Sequence, residues 1–375
     1  MILRSTQSPN QLFFTPEEYF SSLTEDIDQA QDEIILETYI FKLDATGNQI
    51  LSALVDAVAR GVKLRLLIDG VGSYYDSNLI ADQLKSQNSE VRVFHPLPWD
   101  FPVYRRALKA GRWYSQFFYL FASINRRNHR KLCVIDQKVA WLGSYNITAD
   151  HLNLSSGAEN DYWHDTGLRV SGSVVQMLAT NFTHVWQRKQ GSIGQRSRHF
   201  MARAEIKRRR QPKLHLISEL EQCRQRIWIT NAYFNPTNQV LRLLKRKAKA
   251  GISVQLIVPK RSDVVFFPLL SRSFYTDLLE SNIRVFEYGT RVLHSKTILI
   301  DEQVLVGSTN LNYRSLFHDL ELDLLLDDTQ MVEQMQERFC REISDSVEIT
   351  LHHWQQHPWL LRLLGWLSRF LRYWM

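Results

Sequence analysis

Asn128–Asn146 reads NHRKLCVIDQKVAWLGSYN, and Leu293–Asn310 reads LHSKTILIDEQVLVGSTN. Each stretch carries a histidine and a lysine two positions apart, then an apolar run to an aspartate, a turn, and a second apolar run ending in Gly-Ser-x-Asn. Side chains two apart leave a strand on the same face, so His129 is grouped with Lys131 and His294 with Lys296. From His to Asn is 17 residues in the first copy and 16 in the second, so the first return strand is expected to carry one extra residue.

Working outward, each hairpin sits at the end of a longer repeat. In the first half a strand (34–41), a helix (49–60), Gly61 and a second strand (63–68) are expected. The second half repeats this as a strand (227–234), a helix (239–250), Gly251 and a strand (253–258). A glycine directly after a helical run suits a left-handed C-terminal position. Third strands follow at 91–94 and 283–286, and Tyr39 and Tyr233 fall in matching places. Strands alternating with helices give an α/β class: two pseudo-twofold-related halves, each a mixed sheet flanked by helices, sharing one active site. The expected organisation is a first half at 1–190, a basic linker at 191–213, a second half at 214–350 and an amphipathic C-terminal helix at 351–375.

The 375 residues are 44% hydrophobic and 23% charged, which suits a folded chain and not a disordered one. A formal charge of +7 favours an anionic partner without choosing among nucleic acid, phospholipid and phosphorylated small molecules. Cys133, Cys223 and Cys340 have no close pairing, so neither a disulfide framework nor a zinc knuckle is expected, and Cys133 reads as a small core residue. Met1–Asn10 has no apolar core behind a basic start, so no secretory leader is expected. The apolar runs are far shorter than the roughly 18 residues of a membrane span.

Phosphodiester exchange needs a nucleophile, a proton donor for the leaving alkoxide, and cations on the phosphate oxygens. Histidine can fill either of the first two roles because it titrates near neutrality. The two hairpins supply His129 and His294, Lys131 and Lys296, Ser144 and Ser308, and Asn146 and Asn310, a complete set that calls for no metal and no cofactor. Asp136 and Asp301 belong to the same motif and are carried with the catalytic set. Their odd spacing from the histidines nevertheless puts them at the hairpin turn, off the catalytic face, which points to a structural role.

These motifs resemble the phospholipase D superfamily, whose signature is H-x-K-x(4)-D followed by G-(S/G/T)-x-N. Both copies match without departure, and the resemblance covers about residues 10–345. It implies a covalent phosphohistidine, with His129 attacking phosphorus and His294 acting as general acid and then base. It also implies a downstream acid for each histidine, Asp165 for His129 and Glu321 for His294, to orient the ring. Among family members, the bacterial cardiolipin synthases are most similar, through ILETYIF (35–41), RRNHRKL and GSTNLNYRSL (307–316). They transfer a phosphatidyl group onto phosphatidylglycerol. The resemblance thus implies anionic phospholipid substrates and a peripheral place on the cytoplasmic face of the bacterial inner membrane, with nucleic acid disfavoured. The alternative is a phospholipase D or a metal-independent nuclease that hydrolyses phosphodiesters.

Three further features bear on the substrate. An insertion near 96–123 mixes aromatic, basic and apolar residues, as a membrane-facing or a core-covering segment would. Residues 359–375 split into a Trp/Leu/Phe arc and an Arg/Gly/Ser arc, as an interfacial helix or a helix packed on its own protein would. Glu37, at a strand end where the second half has Asn231, is expected to reach a headgroup hydroxyl.

Overall fold

The computed structural model describes residues 10–96, 126–152, 162–187, 200–202, 210–356, 365, 367 and 369. Nearly all of the 96–123 insertion, most of the 191–213 linker and most of 357–375 lie outside the described residues. The chain forms two compact units. Unit 1 comprises 1–152, 167–194 and 318–322; unit 2 comprises 153–166, 195–317 and 323–375. Each repeat therefore lends one short strip to the other repeat's unit.

Unit 1 runs β1 (Gln11–Phe13), α1 (Pro16–Asp28), β2 (Glu33–Thr38), α2 (Ala45–Ala59), β3 (Lys63–Asp69), α3 (Ser77–Gln83), β4 (Ser89–Phe94), β5 (Leu132–Ile135), β6 (Val139–Gly143), β7 (Gly167–Ser171) and α4 (Ser173–Trp186). Its seven strands are ordered β1-β7-β6-β5-β2-β3-β4. Strands β2, β3 and β4 are parallel, whereas β5 lies antiparallel to β2. The central β2 is apolar on both faces because Ile34 and Leu36 join the cluster built with α1 and α2, while Ile35 is buried on the other side. Helix α2 begins where Asp44 accepts a hydrogen bond from Gly47 N at 3.0 Å, and it buries Ile50, Leu51, Leu54 and Ala57 at helical spacing. It ends before Gly61, whose φ of 100° is the left-handed turn expected there.

Unit 2 runs β8 (Phe200–Ala202), α5 (Arg210–Gln222), β9 (Arg226–Asn231), α6 (Asn238–Lys249), β10 (Ser253–Pro259), α7 (Phe266–Arg272), α8 (Tyr275–Leu279), β11 (Arg284–Tyr288), β12 (Lys296–Ile300), β13 (Gln303–Gly307), α9 (Tyr313–Phe317), β14 (Leu322–Leu326), α10 (Thr329–Ser344), β15 (Ser346–Ile349) and α11 (Leu351–Gln355). Its eight strands are ordered β15-β11-β10-β9-β12-β13-β14-β8, again with parallel β9, β10 and β11 and an antiparallel β12 beside β9. The repeat is thus a mixed sheet flanked by helices, present twice.

The register corrects two sequence expectations. Glu37 pairs with Leu132, and Thr230 pairs with Thr297, the residue after Lys296. Glu37 therefore corresponds to Thr230, not to Asn231, and Tyr39 and Tyr233 are offset by one place along their chains. The extra residue of the first hairpin lies in its turn. Ile135 pairs with Val139 across three residues, Ile300 with Gln303 across two, and the return strands are both five residues long.

Candidate active site

In both units the hairpin begins where the central strand ends, at the point where the sheet changes from parallel to antiparallel. Open α/β sheets bind ligands in such places, beyond the carboxyl ends of their strands. In unit 1, Lys131 directly precedes β5, and its Nζ donates to the His129 carbonyl at 2.8 Å. Tyr39, one residue past β2, flanks both side chains, with its ring centroid 5.1 Å from that of His129 and 5.6 Å from Lys131 Nζ.

The acid that holds His129 is Glu321, with Nδ1 and Oε2 3.1 Å apart. Its strip is sewn to the residues before the motif by His129 N to Leu320 O (3.0 Å), Leu320 N to Arg127 O (2.9 Å) and Arg127 N to Asp319 Oδ1 (3.0 Å). Behind it, Arg127 donates to the His95 carbonyl and lies 3.7 Å from Asp69, whose carboxyl burial pushes up to about 6 against the pull of Arg127 and three backbone N–H groups.

Unit 2 repeats the pattern with different supports. Lys296 Nζ donates to the His294 carbonyl, and Tyr233 flanks the pair at 6.1 Å from the His294 ring and 5.7 Å from Lys296 Nζ. His294 Nδ1 lies 2.7 Å from Asp165 Oδ1. The Asp165 strip is fixed by His294 N and Ser295 N, both donating to the His164 carbonyl, and by His164 N donating to Val292 O, each at 2.8 Å. The pairing expected from chain order is therefore corrected. Asp165 orients His294 and Glu321 orients His129, because each acid rides on the strip lent to the other unit. In both rings the carboxylate takes Nδ1 and so fixes the orientation of the imidazole.

The position between His and Lys differs between the copies. Arg130 is fully buried, with Nη2 3.0 Å from Glu37 Oε2, and Asn128 Nδ2 donates to Glu37 Oε1 at 2.6 Å. Glu37 is 0% exposed, so it is a partner for Arg130 and not the headgroup contact expected of it. Burial pushes the Glu37 carboxyl up, partly offset by Arg130 and Asn128; burial pulls Arg130 down, opposed by the charges of Glu37 and Glu321. The guanidinium thus draws on the same carboxylate that holds His129. In unit 2 the equivalent Ser295 side chain shares a hydrogen bond with Thr166, at 2.7 Å. Thr230, the counterpart of Glu37, donates instead to Glu342, which also binds His164.

Sequence reasoning missed Asp263. It follows β10, accepts a hydrogen bond from Tyr233 at 2.6–2.7 Å and feels the charges of His294 and Lys296. Partial burial opposes its ionisation, but His294, Tyr233, Ser262 and Lys296 together outweigh that and hold the carboxyl below its ordinary range. No motif marks this residue; only its place after the strand beside β9 could have suggested it.

Ser144 and Asn146 follow β6, and Ser308 and Asn310 follow β13, all four buried. The side-chain oxygens of Asn146 and Asn310 are buried without a hydrogen-bond partner, a matched pair of orphan groups of the sort a bound ligand satisfies. Asp136 and Asp301 are corrected from the catalytic set. Asp136 accepts from the backbone of Gln31, Asp32 and Glu33, and Asp301 from that of Arg224, Gln225 and Arg226. Each sits at φ near 50° and clamps its hairpin turn to the start of the central strand.

A doubled mixed sheet with a lysine and a carboxylate-held histidine at each switch point is the arrangement of a phospholipase D-like enzyme. The family described as "Cardiolipin synthase, PLD-like domain" matches residues 23–186 and 216–343, and the chain belongs to it, within the enzymes of the phospholipase D superfamily. It is 30% identical over 376 residues to a cardiolipin synthase of Geobacillus kaustophilus, covering 95% of this chain and 70% of that one. It is 29% identical to a cardiolipin synthase of Alkalihalophilus pseudofirmus, covering 98% of this chain and 72% of the relative. In fold it is similar to phosphatidylserine synthase of Haemophilus influenzae, with a TM-score of 0.68 at 14% identity over 100% of this chain and 96% of that one. Among the described residues, no helix is long and apolar enough to cross a membrane.

Proposed function

We propose that the chain is a phospholipid phosphatidyltransferase that makes cardiolipin, acting peripherally at the cytoplasmic face of the bacterial inner membrane. His129 Nε2 attacks phosphorus, the bond to the departing alcohol breaks, and His294 gives that alkoxide its proton. The free hydroxyl of a phosphatidylglycerol headgroup then surrenders a proton to His294 and attacks the phosphohistidine, releasing His129. Lys131, Lys296, Asn146, Asn310, Ser144 and Ser308 hold the non-bridging oxygens through the transition states. The reading is carried by the duplication of a histidine with its own carboxylate and lysine, which supplies both a nucleophile and an acid.

The supports of the two histidines also differ. Asp165 takes Nδ1 of His294, and Asp263 feels the charges of His294 and Lys296. Glu321 takes Nδ1 of His129 and is one of the charges that act on the buried Arg130.

The test is incubation of the protein with phosphatidylglycerol vesicles, followed by mass spectrometry of the lipids. Cardiolipin with released glycerol is expected. Phosphatidic acid alone would replace transfer by hydrolysis, and degraded plasmid without lipid products would replace both by a nuclease. With an activated leaving group that needs no proton, His294→Ala should still form a phosphoenzyme and His129→Ala should not. The reverse result would exchange the two roles.

A further inference from the structure

Large apolar side chains left exposed in the described residues are few, and most gather at one place in the repeat. In unit 1 they are Val71, Tyr75 and Leu79, in the segment after β3; in unit 2 they are Val264, Val265 and Phe266, in the segment after β10. Strands β3 and β10 occupy the same position in the two sheets, beside the central strand. Tyr75 is 89% exposed, Val265 80% and Phe266 63%, values that a core-forming role does not explain.

Each segment also touches the tyrosine that flanks its catalytic histidine. In unit 1, Ser73 Oγ donates to the Tyr39 carbonyl at 3.1 Å. Gly72 lies so close that a Cβ there would meet the same oxygen at 2.2 Å. In unit 2, Asp263 accepts from Tyr233, and the Tyr233 ring lies 4.5 Å from that of Phe267. The segments that carry the apolar tips are therefore anchored to the tyrosines that flank the two histidines. Two exposed cations, Lys260 and Arg261, precede the unit 2 tip.

The C-terminal residues add to the same face of unit 2. A Cβ on Gly365 would lie 3.3 Å from the Leu269 carbonyl, and Arg369 donates to Ser273 and Asp277 at the end of α7 and in α8. The described members of the polar arc thus face the protein, while Leu367 of the apolar arc is exposed.

We infer that the segments after β3 and β10 are twin apolar lips that insert into an anionic phospholipid leaflet, the unit 2 lip being extended by Leu367 and flanked by Lys260 and Arg261. The lips rest on the lipid-transfer reading for their purpose, since they would set each histidine centre against headgroups. A leaflet is the occupant whose chemistry fits: apolar tips sink to the acyl boundary, and cations beside them meet lipid phosphate.

The experiment is co-sedimentation of the full chain with vesicles of phosphatidylglycerol and phosphatidylcholine in equal parts. Val265→Glu with Phe266→Glu, and separately Tyr75→Glu with Leu79→Glu, should each weaken binding about tenfold or more. Val347→Glu, an exposed apolar residue on the edge strand β15, should bind as the parent does, and melting curves confirm that the variants fold. Unchanged sedimentation of both double variants would overturn the lips. Sedimentation requires no turnover, so a parent that binds through the lips but makes no lipid product would remove the transfer reading and leave this one standing. Cardiolipin formation with unaltered binding of the variants would do the opposite.

Discussion

His129 and Glu321 are 192 residues apart in sequence, yet their side chains meet at 3.1 Å inside one unit. His294 and Asp165 are joined in the same way across 129 residues. The histidine of each repeat is oriented by an acid belonging to the other, and a sequence read in order assigns the acids the wrong way round.

This crossing is testable ring by ring. Glu321→Gln should disturb the titration of His129 in nuclear magnetic resonance spectra and leave that of His294 unchanged, with Asp165→Asn giving the converse. Each variant should lose on the order of 10–100-fold in kcat, because the ring it frees is no longer held in one orientation. Glu321→Gln shifting His294 instead would restore the chain-order pairing.

Arg130 and Glu37 form a buried pair, for which losing one partner costs more than losing both. Arg130→Met or Glu37→Leu alone should cost about 3–5 kcal/mol of unfolding free energy. The double variant should recover most of that loss. Additive losses in urea denaturation would show that the two residues act separately.

Asp136 and Asp301 carry a pH signature. Partial burial raises each carboxyl, but the backbone N–H groups they accept from outweigh it and hold both below the ordinary range. The unfolded chain then binds more protons than the folded one on acidification. The associated stability is full above about pH 4, the ordinary aspartate range, and fades as pH falls through the lower folded values. Asp136→Asn and Asp301→Asn should each cost about 2 kcal/mol at neutral pH. The gap to the parent should close in acid; a gap that stays constant would count against the clamp.

Asn146 and Asn310 present buried oxygens with no partner. Replacing either by Asp places a negative charge where phosphate oxygens are to be held, and kcat/KM should fall by about 100-fold or more. The buried carboxylate should also lower the melting temperature, so the loss of rate is measured where the variant is still folded. A melting point that falls with activity unchanged would make them structural. Chelation with EDTA should leave the parent's rate unaltered, because in the proposed mechanism Lys131 and Lys296 supply the cationic charge.

What could be read in advance follows from range. The strands, the helices and the terminal glycines Gly61 and Gly251 are local signals, and they fall within a few residues of their expected places. The His, Lys, Ser and Asn positions follow from spacing along one hairpin. The extra residue of the first hairpin was misplaced because counting from His to Asn cannot separate a longer turn from a longer strand. Glu37 looked like a polar residue at a strand end; only the packing of Arg130 against it shows why a carboxylate can be buried there. Asp263 has no repeat partner and no motif, so nothing short of the fold brings it to His294.

The exchanged strips also set a timetable for biosynthesis. When His129 emerges from the ribosome, the glutamate that will hold it is still 192 codons away. At about 5–20 residues per second, that is a delay of roughly 10–40 s. The nascent first repeat must therefore keep its sheet together while its histidine ring still lacks the carboxylate that orients it, so neither repeat expressed alone can yield a finished histidine centre.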